Sequence, residues 1–393
     1  MMIFKIVLLA IDGVDEMTEQ QLIDRMQEVF NHLHVKPEIS WEETNTTAYL
    51  ATILEGEGFV PHTFNDMTGL YVDIGHGEPK VGFRTDIDAL WQEVDGEFQA
   101  NHSCGHDGHM AMAIGVALLL KEQKNLPGAV RLIFQPAEEK AGGAKAIVQK
   151  GIVDSLEYLF GVHVRPLVEL ADGAHSPALY HGAAKLITGS INGIEAHGAR
   201  PEQGINAIEV AAALVDALKR IWISPNESGS IKMTQLQAGG LSANIIPGSA
   251  SFSIDIRAQK NSTMDALTEG FKKAVESVST LYGAEITTNV DVHIAAAQVH
   301  DEAKMMMKQA IVETVGSENC APEVITPGGE DFHFYAYSKP NLKTTMLGLG
   351  CGVTPGLHHP QMTFNRKQLP VGARILTKAL LVALQHIERR DGK

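Results

Sequence analysis

Three cysteines in 393 residues, Cys104, Cys320 and Cys351, are too few for a disulfide framework or a thiolate storage cluster, and a reducing, cytoplasmic setting fits them better. Positive charge is also short. Lys and Arg number 32 against 47 Asp and Glu, the formal net charge is −15, and no basic stretch offsets it. Such a chain repels phosphate backbones, which argues against a nucleic-acid partner. No apolar run approaches the ~20 residues of a spanning helix, which argues against a membrane protein. There is no internal repeat and no long linker, and the 37 glycines are not periodic, so a collagen-like or low-complexity chain is excluded. The opening residues are apolar only over 6–11, after Lys5, lack a small-residue cleavage site and turn acidic at once. They read as a short edge strand or a leader ahead of the fold rather than as a secretory signal.

What is present is an ordinary globular composition, 44% hydrophobic and 20% charged, at a length that suits two or three domains. Histidine stands out, with 17 residues against 13 Phe and 7 Tyr. Thr18 and Gln21 have capping-box spacing ahead of Leu22, Met26, Val29, Phe30 and Leu33, which predicts a helix that ends before Pro37. Short apolar runs over 80–83, 129–134, 158–162 and 344–347 alternate with helical patterns over 110–123 and 142–150. That alternation predicts an α/β fold, a mostly parallel sheet with helices on both faces. From Lys185 the pattern changes to strand (185–192), helix (205–221), two strands (230–236 and 250–256), helix (264–281) and strand (284–292). This βαββαβ order predicts a ferredoxin-like α+β unit. The expected division is a discontinuous larger domain over 1–183 and 296–393, split by an inserted domain over 184–295. A helix over 301–315 resumes the α/β character.

The densest chemical cluster is Asn101-His102-Ser103-Cys104-Gly105-His106-Asp107-Gly108-His109, just ahead of the apolar helix expected from Met110. In an extended loop Cys104 and His106, two apart, share one side and can reach one metal. The bland alternative is a polar loop capping a helix over a buried free cysteine. Phe134-Gln135-Pro136-Ala137-Glu138-Glu139 follows a predicted strand. Adjacent carboxylates point in different directions, so one can hold a metal while its neighbour faces a bound water, as general-base hydrolysis requires. Alone, the pair also reads as a solvated acidic loop. His163 closes another predicted strand, and Leu357-His358-His359-Pro360 follows a Gly-rich loop; each alone also reads as structural. Asp86, Glu138, Glu139 and His163 share a placement at or just beyond the carboxyl ends of predicted strands, where open α/β sheets bind ligands. Imidazole, thiolate and carboxylate together suit zinc, with manganese or cobalt also possible, and their number points to two ions sharing a water.

In order and spacing these motifs resemble the di-metal amidohydrolases that include hippurate hydrolases, indole-acetyl-amino-acid hydrolases and N-acyl-amino-acid amidohydrolases, within the aminoacylase and zinc-peptidase superfamily. The resemblance spans nearly the whole chain. It is carried by the clusters above and by His34-Val35-Lys36-Pro37-Glu38, Arg84-Thr85-Asp86-Ile87-Asp88-Ala89-Leu90, Gly161-Val162-His163, His197, Asn244-Ile245-Ile246-Pro247 and Gly329-Glu330-Asp331-Phe332. It implies that Cys104, His106, Glu139, His163 and His358 are metal ligands, with Cys104 bridging two ions where the wider superfamily uses Asp. It implies that Glu138 is the general base and that Asp86 orients a ligand. It also implies that His197 reaches the active site of a partner subunit, in a dimer or a dimer of dimers, and that Asn244 and Arg257 bind substrate. Arg84 stands where the wider superfamily has a His ligand, a change the nearer subfamily shares. Trp91 stands where relatives usually have Pro, and His359 replaces a Ser beside His358, which leaves open which of the two ligates.

The implied activity is two-metal hydrolysis of an amide bond in N-acyl amino acids or small peptides, with Glu138 taking the proton of the attacking water and passing it to the leaving nitrogen. The expected partner is therefore a small molecule or short peptide. The same chemistry serves an aminopeptidase or dipeptidase acting on unblocked peptides, and a catalytically silent metal- or peptide-binding module is a further alternative. The inserted domain is expected to act as a lid or dimerisation element, hinged near 183–185 and 294–298.

Overall fold

The computed structural model describes residues 17–392, so the apolar stretch over 6–11 lies outside the described residues. Thr18 caps the helix Glu19–His34 with the reciprocal Thr18–Gln21 capping box, and Leu22, Met26, Val29, Phe30 and Leu33 are its buried face.

Seven strands form the main sheet, in the order His62–Thr63, Leu70–Gly75, Ala129–Gln135, Val81–Asp86, Tyr158–Pro166, Lys343–Val353 and His175–Ser176. The four from Ala129–Gln135 to Lys343–Val353 run parallel; those at either edge join antiparallel. The fold is therefore α/β around a parallel centre. Every residue of Val81–Asp86 is buried because both sheet faces are covered. One face, with Phe83, Leu132, Phe160 and Val162, meets the helices Glu19–His34, His106–Lys121 and Gln368–Asp391. The alternate residues Ile133, Leu159 and Met346 face Ala144, Ile147 and Tyr335, from the helices Gly143–Gln149 and His333–Ser338.

A second, four-stranded sheet is antiparallel throughout, in the order Gly229–Ala238, Ser249–Ala258, Ala183–Asn192 and Glu285–Ile294. Two helices, Ala207–Leu218 and Asn261–Tyr282, cover one face and share a core with Ile187, Phe252 and Ile254. This strand order is that of the ferredoxin-like unit. The other face and the edge strand Gly229–Ala238 lie open, with Leu186, Leu236 and Val290 exposed. Where the chain crosses between the sheets, Gly182 N donates to Gly328 O (3.0 Å) and Ala297 N to His181 O (3.0 Å).

Two local expectations change, and one element is new. The helix expected from Met110 begins at His106, which puts His106 and His109 in its first turn. The strand expected to end at Val162 continues to Pro166, so His163 lies within it rather than beyond its end. A hairpin, Leu90–Val94 with Glu97–Asn101, turns on Asp95 and Gly96, both at positive φ (53° and 90°).

Candidate metal centre

The hairpin delivers the chain into the Cys104 loop. Gly105 N donates to His102 O (3.1 Å), and Gly105, at φ 85°, caps the helix that opens at His106. A Cβ at Gly105 would also lie 2.6 Å from Val164 Cγ2, so glycine is required there both for its conformation and for the close approach of the neighbouring strand. Cys104 and His106 are thus brought to one place by a turn and a helix start, not by the extended loop expected from their spacing.

Cys104 Sγ lies 3.5 Å from His163 Nε2, His106 Nε2 lies 4.0 Å from Glu139 Oε1, and His358 Nε2 lies 3.5 Å from the same oxygen. The ligating atoms of Cys104, His106 and His163 lie within 4.8 Å of one another, as do those of Cys104, Glu139 and His358. Cys104 belongs to both triads. The far nitrogens of two imidazoles are engaged: His106 Nδ1 donates to Asp88 O (2.9 Å), and His163 Nδ1 donates to Val164 O (2.7 Å). Each Nε2 is left to the centre, the usual orientation of a ligating histidine. His106 Nε2 and Glu139 Oε1 are buried without a hydrogen-bond partner, a costly state that a divalent cation between them would relieve. The thiolate, imidazole and carboxylate donors fit such an ion.

His358 sits at φ 64°, in a loop held by its own N–H to Ser103 O (2.8 Å) and by Gln92 Nε2 to His358 O (3.3 Å). His359 Nδ1 accepts from Gln361 N (3.1 Å), so His358 is the histidine that faces the cluster. The turn bearing Glu138 and Glu139 is clamped by Ala137 N donating to Glu43 Oε1 (2.8 Å) and Glu139 N to Asp88 Oδ2 (3.0 Å). Glu138 Oε1 accepts from Asp331 N (3.3 Å). Burial, then the neighbouring carboxylates of Glu330, Glu139 and Asp331, push Glu138 well above the usual carboxylate range. Burial pushes Glu330 up to about 7.

Beneath the cluster lies the fully buried Arg84. It donates to Gln135 Oε1 (2.8 Å), Asp86 Oδ2 (2.7 Å) and Asp331 Oδ1 (2.7 Å), with Glu330 Oε1 at 3.1 Å. Asp86 Oδ1 accepts from His109 Nδ1 (2.7 Å), and His109 Nε2 accepts from Val164 N (3.0 Å). The direct partners of Asp86 are therefore Arg84 and His109, neither of them one of the five expected ligands; His106 Nδ1 lies 3.8 Å from it. The group that holds His106 is Asp88, which the sequence reading left without a role although it lies two residues on in the same motif. Both of His109's ring nitrogens are occupied by structural bonds.

The inserted segment places its nominated residues elsewhere, His197 in a short two-stranded sheet beside the larger one. His197 pairs with Ile245, and its Nδ1 accepts from Ala199 N (3.0 Å). Asn244 O accepts from Gly198 N (2.8 Å), and Arg257 pairs with Asp255 at 3.0 Å. All three are exposed, and these bonds stay within the insert, so the structure does not bring them to the cluster.

Residues 82–382 match the family model described as Peptidase family M20/M25/M40. The chain is 28% identical over 392 residues to an N-acetylcysteine deacetylase of Bacillus subtilis, covering 95% of this chain and 100% of that one. It is 27% identical over 392 residues to the IAA-amino acid hydrolase ILR1-like 2 of Arabidopsis thaliana, covering 95% and 88%. Among solved structures, the Bacillus subtilis YXEP protein, described as a dinuclear metal-binding peptidase from the M20 family, superposes with a TM-score of 0.76 at 25% identity, covering 93% and 99%.

Proposed function

The chain belongs to Peptidase family M20/M25/M40 and is a hydrolase of amide bonds, and from that premise we propose that its substrates are N-acyl amino acids. The observation that carries this reading is the position of Cys104 in two ligand triads beside a buried carboxylate, Glu138, that faces them. We assign two divalent cations to Cys104, His106, Glu139, His163 and His358, zinc first by donor chemistry. Such ions supply Lewis-acid polarisation of a carbonyl and a lowered water pKa. The two relatives described above support the substrate class, since both are named for cleaving an acyl group from an amino acid.

Glu138 acts as general base. Asp331 N–H holds its Oε1, which leaves Oε2 to take the proton of the attacking water and to return it to the leaving nitrogen. Asp88 fixes the imidazole of His106, and the Asp86–His109 pair braces the Val164 backbone beside His163. His197, exposed on the insert, serves the site of a second copy of the chain in a dimer and steadies the oxyanion there, while Asn244 and Arg257 bind the substrate.

The test is a panel of acetyl- and benzoyl-amino acids set against unblocked dipeptides, with and without a chelator. Chelator-sensitive turnover of the acylated compounds, restored by zinc, manganese or cobalt, is expected. Preference for the unblocked dipeptides would move the reading to a peptidase.

A further inference from the structure

Behind His163 lies a second buried pair of imidazoles that the mechanism does not use. The ring of His181 is 6.3 Å from that of His163, centroid to centroid. His181 Nδ1 lies 3.0 Å from His333 Nε2, and Arg165 Nη1 lies 3.5 Å from His181 Nε2. Arg165, His181 and His333 are each at most 3% exposed.

The direction of this chain follows from its first member. Arginine only donates, so His181 Nε2 must accept and the His181 proton sits on Nδ1. His181 Nδ1–H then donates to His333 Nε2, and the His333 proton is forced onto its own Nδ1. That atom is buried and has no hydrogen-bond partner among the described residues. With each Nε2 accepting, both imidazoles are neutral, and the nearby cations are already paired, Arg165 with Glu169 and Arg84 with Asp86, Glu330 and Asp331. The result is a neutral, fixed donor in surroundings without a free positive charge. It matches a neutral oxygen acceptor; a carboxylate would be buried there without a counter-charge.

His333 is tied to the candidate centre through its bonded partner and through its own chain. His181 lies against His163, and Glu330, three residues before His333, has a carboxylate oxygen within 4.8 Å of one on Glu138. An N-acyl amino acid carries its carboxylate on the amino-acid side, so the neutral acceptor belongs to the acyl side. We infer that His333 Nδ1–H is a specificity-determining donor that selects acyl groups bearing a neutral oxygen, such as a hydroxyl, beyond the scissile carbonyl. This inference rests on the amidohydrolase reading above.

The test measures kcat/KM for glycolyl, 3-hydroxypropionyl and 4-hydroxybutyryl derivatives of one amino acid, each against its acetyl, propionyl or butyryl counterpart. Leaving a buried donor without a partner is costly, so the wild-type enzyme should favour one hydroxyacyl compound at least about fivefold over its counterpart. His333→Phe should collapse that ratio toward one with metal content retained. His333→Asn, whose amide nitrogen stands near the position of Nδ1, should restore part of it. Wild-type ratios near one for all three pairs, or a ratio unchanged in His333→Phe, would overturn the inference. Absence of turnover for every acyl compound would instead overturn the amidohydrolase reading, and this inference with it.

Discussion

The main body and the inserted segment both carry residues that the sequence nominates, but they hold them in opposite ways. In the body, Cys104, His106, Glu139 and His163 approach within 3.5–4.0 Å of a neighbour in the cluster, and backbone bonds fix the loops that carry them. On the insert, His197, Asn244 and Arg257 are exposed and bonded only to their own surroundings. The body presents a donor set shaped by its fold, which is what tight positioning needs. The insert presents groups that gain a role only when something closes on them, whether substrate, a hinge movement or a second copy.

The sharpest test of that contrast pairs one residue from each region. Glu138→Gln should lose about 10²–10⁴-fold in turnover while retaining metal, read by initial rates and elemental analysis. His197→Ala should be inactive too, yet mixing the two variants under proven subunit exchange should restore activity. No recovery would confine His197 to its own chain. Next in size, Cys104→Ala should lower the metal content of both triads together, because one thiolate serves both; an unchanged stoichiometry would remove it from the ligand set.

Stability should divide along the same line. Arg84→Met leaves Asp86, Glu330 and Asp331 buried without their shared cation and should cost about 3–5 kcal/mol by denaturant unfolding. Arg257→Met, at a partly exposed pair, should cost no more than about 1 kcal/mol. Similar losses from the two would erase the distinction.

Acid sensitivity should also set the body apart. Burial holds His175 down at about 4, below its ordinary 6.5. Between those values the unfolded chain binds a proton that the folded chain refuses, so stability is full above pH 6.5 and falls as the pH drops toward 4. His175→Gln should flatten that slope, and an unchanged slope would place the acid sensitivity in other groups.

The parallel centre was legible because strands buried on both faces read as unbroken apolar runs, as at 129–134 and 158–162. The insert was legible because its strands and helices alternate in a recognisable order. The roles of Asp88 and His109 were not, since sequence does not tell which of two carboxylates two residues apart turns toward a given imidazole. The helix start at His106 was hidden for a different reason: a positive-φ glycine lets a helix begin within what reads as a polar loop. The hairpin beside His358 had a signal, Asp95-Gly96 between short runs, the residue pair that favours a tight turn. His181 and His333 lie far apart in sequence, in no shared motif, and only the fold puts their nitrogens 3.0 Å apart.

The helix that opens at His106 is enclosed on every side as far as Leu118. Its amides can meet solvent only when the body as a whole unfolds, so deuterium should label them last, long after the open edge strand Gly229–Ala238. Because the Cys104 loop is continuous with that helix, its shape is set by the folding of the body rather than by the arrival of an ion. The ligand loop should therefore be formed already in metal-free protein, and release of a captured ion should not require the surrounding fold to open.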